Sequence, residues 1–216
     1  MKAKKKDIRA LSREEIREFF QNIGDKAFRG NQVYEWLWSK GAHHFDDMTN
    51  ISKETRELLS EHFVINHIEV DSIQKSKDGT IKNAVKLFDG LIVESVLIPT
   101  PSRTTACVST QVGCSLDCKF CATARLKKMR NLNPDEIYDQ VKAIDQESKL
   151  YHSRPLSNIV FMGMGEPLMN YNNVLKSIDK ITSEEGLGMS PKRITVSTSG
   201  IPKMIKKLAD DEVKFN

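Results

Sequence analysis

The chain has 216 residues, of which 39% are hydrophobic, so it is long and apolar enough to form a folded core. Its 33 Lys and Arg residues against 29 Asp and Glu residues give a formal net charge of +4, which suits a polyanionic partner without requiring one. No apolar run approaches the roughly 18 residues of a membrane span, and no apolar stretch follows the basic start at Met1. We therefore expect a cytoplasmic protein with neither a membrane segment nor a secretory signal.

The first part of the chain has the pattern of a small helical domain. Ser12-Arg-Glu-Glu15 has the form of a capping box, and apolar residues follow it at helical spacing. A second helix is predicted over about 31–40, and Ser52 is placed to cap a third. We assign residues 1–66 to a helical accessory domain. RNA binding is one interpretation of its charged residues, and a solvated surface is the alternative.

Three β-type runs come next, at about 68–75, 80–88 and 91–98. The dipeptides Asp78-Gly79 and Asp89-Gly90 separate them, and Asp-Gly between alternating runs is a strong hairpin signal. The pattern predicts a β-meander, which we assign to residues 67–99 as a linker.

Strands and helices alternate from residue 100 onwards. A strand around 106–110 precedes a helix that opens at Asn133-Pro134-Asp135-Glu136, where the cap, the proline and the acidic residues hold favourable positions. Further strand and helix pairs begin near residues 158 and 193. This alternation predicts an α/β fold with a parallel sheet. Three βα units and the start of a fourth cannot close an eightfold barrel, so we predict an incomplete core over 100–216.

All four cysteines lie in one short segment, at Cys107, Cys114, Cys118 and Cys121. In a reducing compartment such clustered thiols are more often metal-binding or catalytic than cross-linked. A structural zinc site commonly needs four ligands, and the sequence has neither a second CxxC pair nor a suitably spaced pair of histidines. Three thiolates suit a [4Fe–4S] cluster that leaves one iron open to a substrate or cofactor.

Three segments of the chain resemble the RlmN/Cfr family of radical S-adenosylmethionine (SAM) RNA methyltransferases. They are CVSTQVGCSLDCKFCATA at 107–124, GMGEPLMN at 163–170 and ITVSTSG at 194–200. The resemblance implies a partial parallel (βα) radical-SAM barrel, truncated in this chain and preceded by the small helical domain and the β-meander.

The resemblance also implies roles for particular residues. The cluster ligands would be Cys114, Cys118 and Cys121. The residues that contact SAM would be Gly165, Glu166 and Ser197. Glu94 matches a proton acceptor, and Cys107 matches a cysteine that releases the product by forming a disulfide. Without the resemblance, Glu94 would be interpreted as a surface charge and Cys107 as a small core residue.

The implied reaction is methylation of adenine C2 in 23S rRNA, at the peptidyl-transferase centre, and in tRNA, at the adenosine next to the anticodon. It requires an electron donor, such as a flavodoxin-type reductant. Two alternatives stay open: methylation at adenine C8, as in the Cfr-type members, and an RNA-binding module that holds a structural metal without catalysis. The family also uses a cysteine near its C-terminus, and no cysteine follows Cys121. We therefore expect these 216 residues alone to be an inactive fragment.

Overall fold

The computed structural model describes residues 5–216, so residues 1–4 of the predicted accessory domain lie outside the described residues. The chain divides into two units. The first comprises the described residues up to His67 together with Glu184–Leu187, and the second comprises Ile68–Ser183 and Gly188–Asn216. Among residues 5–216, no helix is both long enough and apolar enough to cross a lipid bilayer.

The first unit is built on three α-helices: α1 (Arg13–Asn22), α2 (Phe28–Glu35) and α3 (Lys53–His62). Ser12 and Glu15 form the predicted capping box. The hydroxyl of Ser12 accepts from the Glu15 amide at 3.2 Å, and the Glu15 carboxylate accepts from the Ser12 amide at 2.6 Å. Both bonds satisfy amide donors that the first helical turn leaves without partners.

Two features of the first unit were not predicted. Helix α2 continues as a turn of π-helix over Trp36–Lys40, which ends at Gly41 with φ of +73°. The short strands β1 (Lys6–Asp7) and β2 (Phe63–Val64) pair in parallel. The largest fully buried side chains of this unit are Ile8, Ile16, Phe20, Leu37, Met48 and Leu59.

The second unit contains a six-stranded sheet and a two-stranded ribbon. In chain order their strands are β3 (Glu69–Lys75), β4 (Ile81–Lys86), β5 (Ile92–Pro99), β6 (Thr104–Cys107), β7 (Gln111–Val112), β8 (Arg130–Asn131), β9 (Asn158–Phe161) and β10 (Ile194–Val196). The sheet has the order β10-β9-β6-β5-β4-β3, in which β3 to β6 are antiparallel and β6, β9 and β10 are parallel. Strands β7 and β8 form the separate antiparallel ribbon.

Three further helices complete the predicted βα pattern: α4 (Pro134–His152), α5 (Tyr171–Thr182) and α6 (Pro202–Asp210). Helix α4 follows β6 by way of the ribbon, α5 follows β9, and α6 follows β10. After α6, Asn216 exchanges backbone hydrogen bonds of 2.7 and 2.9 Å with β10. The prediction of an α/β fold with an incomplete parallel (βα) barrel is confirmed.

Side-chain alternation gives the sheet one buried and one open face. The buried face carries apolar residues that are at most 2% exposed: Ile81, Val85, Val93, Leu97, Ala106, Ile159, Phe161 and Ile194. Glu94 and Ile98 alternate with the buried residues of β5 and are exposed on the open face. Because β3 to β5 belong to the same sheet as the parallel strands, the structure places the meander in the second unit. The division into 67–99 and 100–216 stays a prediction.

Candidate functional site

The cysteine loop, defined as residues 113–129, is closed at its base by the ribbon. Gln111 pairs with Asn131, and Val112 pairs with Arg130. Gly113 has φ of +72°, and a Cβ atom there would lie 2.3 Å from the carbonyl oxygen of Lys127. Only glycine allows this backbone conformation at so close an approach. The two ends of the loop are therefore held together.

The three predicted cluster ligands Cys114, Cys118 and Cys121 lie in this loop with partly buried thiols. A hydrogen bond from the backbone amide of Ala124 is the main cause that lowers the pKa of Cys121, which favours the thiolate form that binds metals. Within residues 5–216, the structure does not group three His, Cys, Asp or Glu side chains closely enough to share a metal ion. The predicted ligands thus share one loop, but their sulfur atoms do not converge.

The Gly163–Glu166 segment follows β9 and lies against the residues that lead into the cysteine loop. Gly165 has φ of +96°, and a Cβ atom there would lie 2.5 Å from the Cβ of Gln111. The carbonyl oxygen of Met164 accepts from the backbone amides of Thr110 and Gln111 at 2.9 and 3.2 Å. The glycine therefore permits direct backbone contact between two segments that are distant in sequence.

Glu166 is buried, and the protein itself supplies hydrogen-bond donors to both carboxylate oxygens. Oε1 accepts from the Leu168 amide at 3.0 Å and from the Thr198 hydroxyl at 2.7 Å. Oε2 accepts from the amide and the hydroxyl of Ser199 at 2.8 and 2.9 Å. A carboxylate offers about four acceptor positions, so these bonds use all of them. Ser197, the predicted cofactor contact, is exposed directly after β10, and the two residues that follow it donate to Glu166.

Glu94 and Cys107 lie on the open face of the sheet. Val96 of β5 pairs with Cys107 of β6, and Glu94 precedes Val96 by two residues, so the side chains of Glu94 and Cys107 share a face. The Glu94 carboxylate accepts from the ammonium group of Lys82, on the neighbouring strand β4, at 3.0 Å. Burial raises the pKa of Cys107, which favours its neutral thiol.

The sheet topology brings these residues to one edge of the second unit. Strand β6 leads towards the cysteine loop, β9 leads into Gly163–Glu166, and β10 leads into Ser197. The Ser109 hydroxyl donates to the carbonyl oxygen of Glu94 at 2.5 Å and accepts from the Met164 amide at 2.8 Å. Strand β5 therefore reaches the same edge. Ligands of open α/β sheets bind at the carboxyl ends of the parallel strands, which is where these segments meet.

Sequence reasoning missed three polar residues at this edge: Gln111, Thr198 and Ser199. Gln111 is 0% exposed and hydrogen-bonds to both Asn131 and Glu166. In the sequence, the only indication of their role was that each of the three lies close to a predicted site residue.

The basic segment Arg125–Arg130 divides into two kinds of residue. Arg125 and Lys127 are exposed, and Lys128 is partly exposed. Arg130 instead donates to both carboxylate oxygens of the buried Glu136 at 2.7 Å, and its Nε donates to Asp89 at 2.6 Å. Arg130 therefore joins the ribbon to α4 and to the turn before β5.

Two family models match the chain. The ribosomal RNA large subunit methyltransferase N-terminal domain matches residues 6–65, and the radical SAM superfamily matches residues 108–215. The second match covers half of the chain and includes the cysteine loop, the Gly163–Glu166 segment and Ser197.

Curated relatives and a solved structure agree with these matches. The chain is 77% identical over 215 residues to the probable dual-specificity RNA methyltransferase RlmN of Flavobacterium johnsoniae, an alignment that covers 100% of this chain and 62% of the relative. It is 60% identical over 212 residues to the protein of the same name from Cytophaga hutchinsonii, with 98% of this chain and 58% of the relative covered. The crystal structure of a radical SAM methyltransferase from Sphaerobacter thermophilus superposes with a TM-score of 0.85 at 35% identity, and the match covers 98% of this chain and 62% of that one. The chain thus spans about three-fifths of the length of these proteins.

Proposed function

Since this chain belongs to the radical SAM superfamily, we propose that it forms part of an RNA methyltransferase that methylates adenine C2 in 23S rRNA and in tRNA. The observation that carries this proposal is the meeting of the cysteine loop, Gly165-Glu166, Ser197, Glu94 and Cys107 around one edge of the sheet. Adenine C2 lies between two ring nitrogens and is too electron-poor to attack a methylsulfonium as a nucleophile. A radical route avoids that difficulty, and it is the chemistry that SAM and an iron–sulfur cluster provide together.

The donor set of the cysteine loop fits a [4Fe–4S] cluster. Cys114, Cys118 and Cys121 would supply three thiolates, and the lowered pKa of Cys121 already favours the ligating form. A cluster bound there would supply the electron that cleaves SAM reductively. Gly165 and Ser197 would contact SAM, and a flavodoxin-type protein is our proposed electron donor.

Glu94 and Cys107 are placed to act on the RNA base rather than on the cluster. Glu94 is exposed on the open face and is held by Lys82 as an ion pair, so its carboxylate is positioned to accept a proton from the methylated carbon. Cys107 shares that face, and burial raises its pKa, which favours the neutral thiol over the thiolate. The chain has no cysteine after Cys121 to serve as the disulfide partner. We therefore propose that residues 1–216 alone do not turn over.

We also propose that residues 1–66 form an accessory domain that binds RNA, followed by a meander at 67–99 and a catalytic core at 100–216. The first unit has a cleft of about 490 Å³ bordered by five basic or imidazole side chains: Lys5, His43, His44, Lys53 and Arg56. Asp46 and Glu57 also line it. Cationic side chains around a cleft suit phosphate groups of RNA. The four free thiols suit a reducing compartment, so we place the reaction in the cytoplasm.

Anaerobic reconstitution with iron and sulfide tests the cofactor proposal on residues 1–216. We expect about four irons per chain in the wild type, as one [4Fe–4S] cluster requires. The triple variant Cys114→Ser, Cys118→Ser, Cys121→Ser should lose them. Cys107→Ser is the matched control, because it removes a thiol outside the loop, and it should keep the iron. Tightly bound zinc, or iron that survives the triple substitution, would contradict the proposal and favour a structural metal.

Product analysis tests the reaction itself. RNA from cells that produce the complete methyltransferase should carry 2-methyladenosine at both sites, and the Glu94→Gln variant should lose it in rRNA and tRNA together. Detection of 8-methyladenosine would establish the Cfr-type reaction instead. Methylation by residues 1–216 alone would contradict the proposal that these residues do not turn over.

A further inference from the structure

Gln111 connects the base of the cysteine loop to the Gly163–Glu166 segment through its side chain. Its Nε2 donates to Oδ1 of Asn131 at 2.7 Å, which joins the two strands of the ribbon. Its Oε1 accepts from the backbone amide of Glu166 at 2.9 Å. The residue is 0% exposed, so water does not compete for these bonds.

The backbone reinforces this connection. The amides of Thr110 and Gln111 both donate to the carbonyl oxygen of Met164. Gly165 approaches Gln111 so closely that a Cβ atom would lie 2.5 Å from the Cβ of the glutamine. The amide of Glu166 is thus held by Gln111, while its carboxylate is held by Thr198 and Ser199. Hydrogen bonds therefore join the three segments that follow β6, β9 and β10.

We propose that Gln111 is a positioning residue that sets the distance between the cysteine loop and the Gly165-Glu166 segment, which would contact SAM. This inference rests on the proposed function. A ligand that contacts both the open iron of a cluster and the Gly165-Glu166 backbone binds well only when the cysteine loop and that backbone lie at the right distance from each other. Gln111 sets that separation with one side chain whose two ends are both hydrogen-bonded.

The same arrangement holds the carboxylate of Glu166 within the protein. It accepts from four protein donors, about as many as a carboxylate can take. Glu166 therefore shapes the SAM site by tying the segment after β9 to the segment after β10. The backbone of Gly165-Glu166 is left to contact the cofactor.

The test compares Gln111→Met with Gln140→Met in reconstituted residues 1–216. Methionine keeps the approximate volume of glutamine and removes its hydrogen bonds. Gln140 is the matched control because it is also 0% exposed and its side chain is also hydrogen-bonded at both ends. Its three bonds reach Ser109 and Glu136, and none of them reaches Asn131 or the Gly163–Glu166 segment. The measured quantities are iron per chain, the melting temperature, and the apparent Kd for SAM from the change it causes in the electron paramagnetic resonance spectrum of the dithionite-reduced cluster.

We expect Gln111→Met to keep the iron content of the wild type and to bind SAM about 10- to 100-fold more weakly, as outer-shell substitutions do. Gln140→Met should lower the melting temperature and leave the SAM Kd unchanged. If Gln111→Met does not fold, Asn131→Ala removes the same link from the partly exposed side of the ribbon and should also weaken SAM binding.

Each other outcome is decisive. If Gln111→Met, or Asn131→Ala where that variant replaces it, binds SAM as tightly as the wild type, the positioning role is wrong and the proposed function is unaffected. Equal weakening in Gln111→Met and Gln140→Met, or loss of iron together with SAM binding, shows a general structural role and overturns it as well. A wild-type chain that binds no cluster or does not respond to SAM overturns the proposed function, and this inference with it.

Discussion

Replacing Arg130 with methionine should destabilise the second unit, because it leaves a buried carboxylate without its cation. Both oxygens of Glu136 accept from the guanidinium group at 2.7 Å, and the Glu136 side chain is 2% exposed. The guanidinium also donates to Asp89 and lies over the ring of Phe88 at 5.1 Å. Methionine would fill part of the volume but would supply none of these bonds.

The structure allows the size of the effect to be worked out. Removing one partner of a buried ion pair costs about 3–5 kcal/mol, mostly because the remaining charge is left uncompensated. Two facts place Arg130 at the lower end of this range: its side chain is 24% exposed, and the Asn133 amide still donates to Glu136 at 2.8 Å. We expect Arg130→Met to lower the free energy of unfolding by about 3 kcal/mol. In a chain of this size the melting temperature should fall by about 6–12 °C.

Urea denaturation followed by far-UV circular dichroism at pH 7 measures this loss. The double variant Arg130→Met, Glu136→Gln should be at least about 1 kcal/mol more stable than Arg130→Met, because glutamine needs no cation and preserves the capping box at Asn133. Arg125→Met, which replaces an exposed arginine of the adjoining cysteine loop, should change stability by less than about 0.5 kcal/mol. A loss below about 1 kcal/mol for Arg130→Met, or no recovery in the double variant, would refute the reasoning.

Three further outcomes follow from the same edge of the second unit. Gly165→Ala should lower the free energy of unfolding by about 2 kcal/mol or more, because alanine is strained at φ of +96° and its Cβ would collide with Gln111. Gly90→Ala, at φ of +82° with open space around it, should lower it less, and thermal melts that rank the two variants the other way would contradict this. The guanidinium of Arg130 is the main cause that lowers the pKa of Asp89 below 3.8, so the stabilisation that Asp89 provides is present above about pH 4 and is lost as the pH falls further. In urea titrations between about pH 2 and pH 5, the free energy of unfolding of Asp89→Asn should therefore depend less on pH than that of the wild type, and an equal dependence would count against this. Iodoacetamide should modify Cys121, whose pKa is lowered, faster than Cys107, whose pKa burial raises, and peptide mass spectrometry that finds equal rates would count against these assignments.

Local signals predicted most of the fold. The two Asp-Gly turns placed β3 to β5 within about two residues, because their backbone requirement is strict and each lies between alternating runs. The capping box at Ser12 and the Asn133-Pro134 start of α4 are correct for the same reason: each satisfies donors that a helix end leaves unpaired. The alternation of strands and helices then indicated the parallel half of the sheet.

Features that depend on tertiary contacts could not be predicted. The ribbon has two residues in each strand, which is too short for any periodicity to be recognised. Gln111 had no signal beyond its position beside the cysteine loop, because nothing in a sequence shows that a glutamine will meet an amide 55 residues away. The same holds for Thr198 and Ser199. The resemblance to known enzymes pointed to segments that meet at one edge of the sheet, and the structure shows which side chains connect them.

The short ribbon at the base of the cysteine loop bears on how the loop could take up a metal. Bringing together the ends of a free segment of about 17 residues costs roughly 2.5 kcal/mol of chain entropy, apart from a constant term. Here β7, β8 and the close approach of Gly113 to Lys127 have already brought those ends together. Chelation by the three thiols then has only the interior of the loop to order. Hydrogen exchange should accordingly slow within 113–129 upon metallation and change little in the strands that flank it.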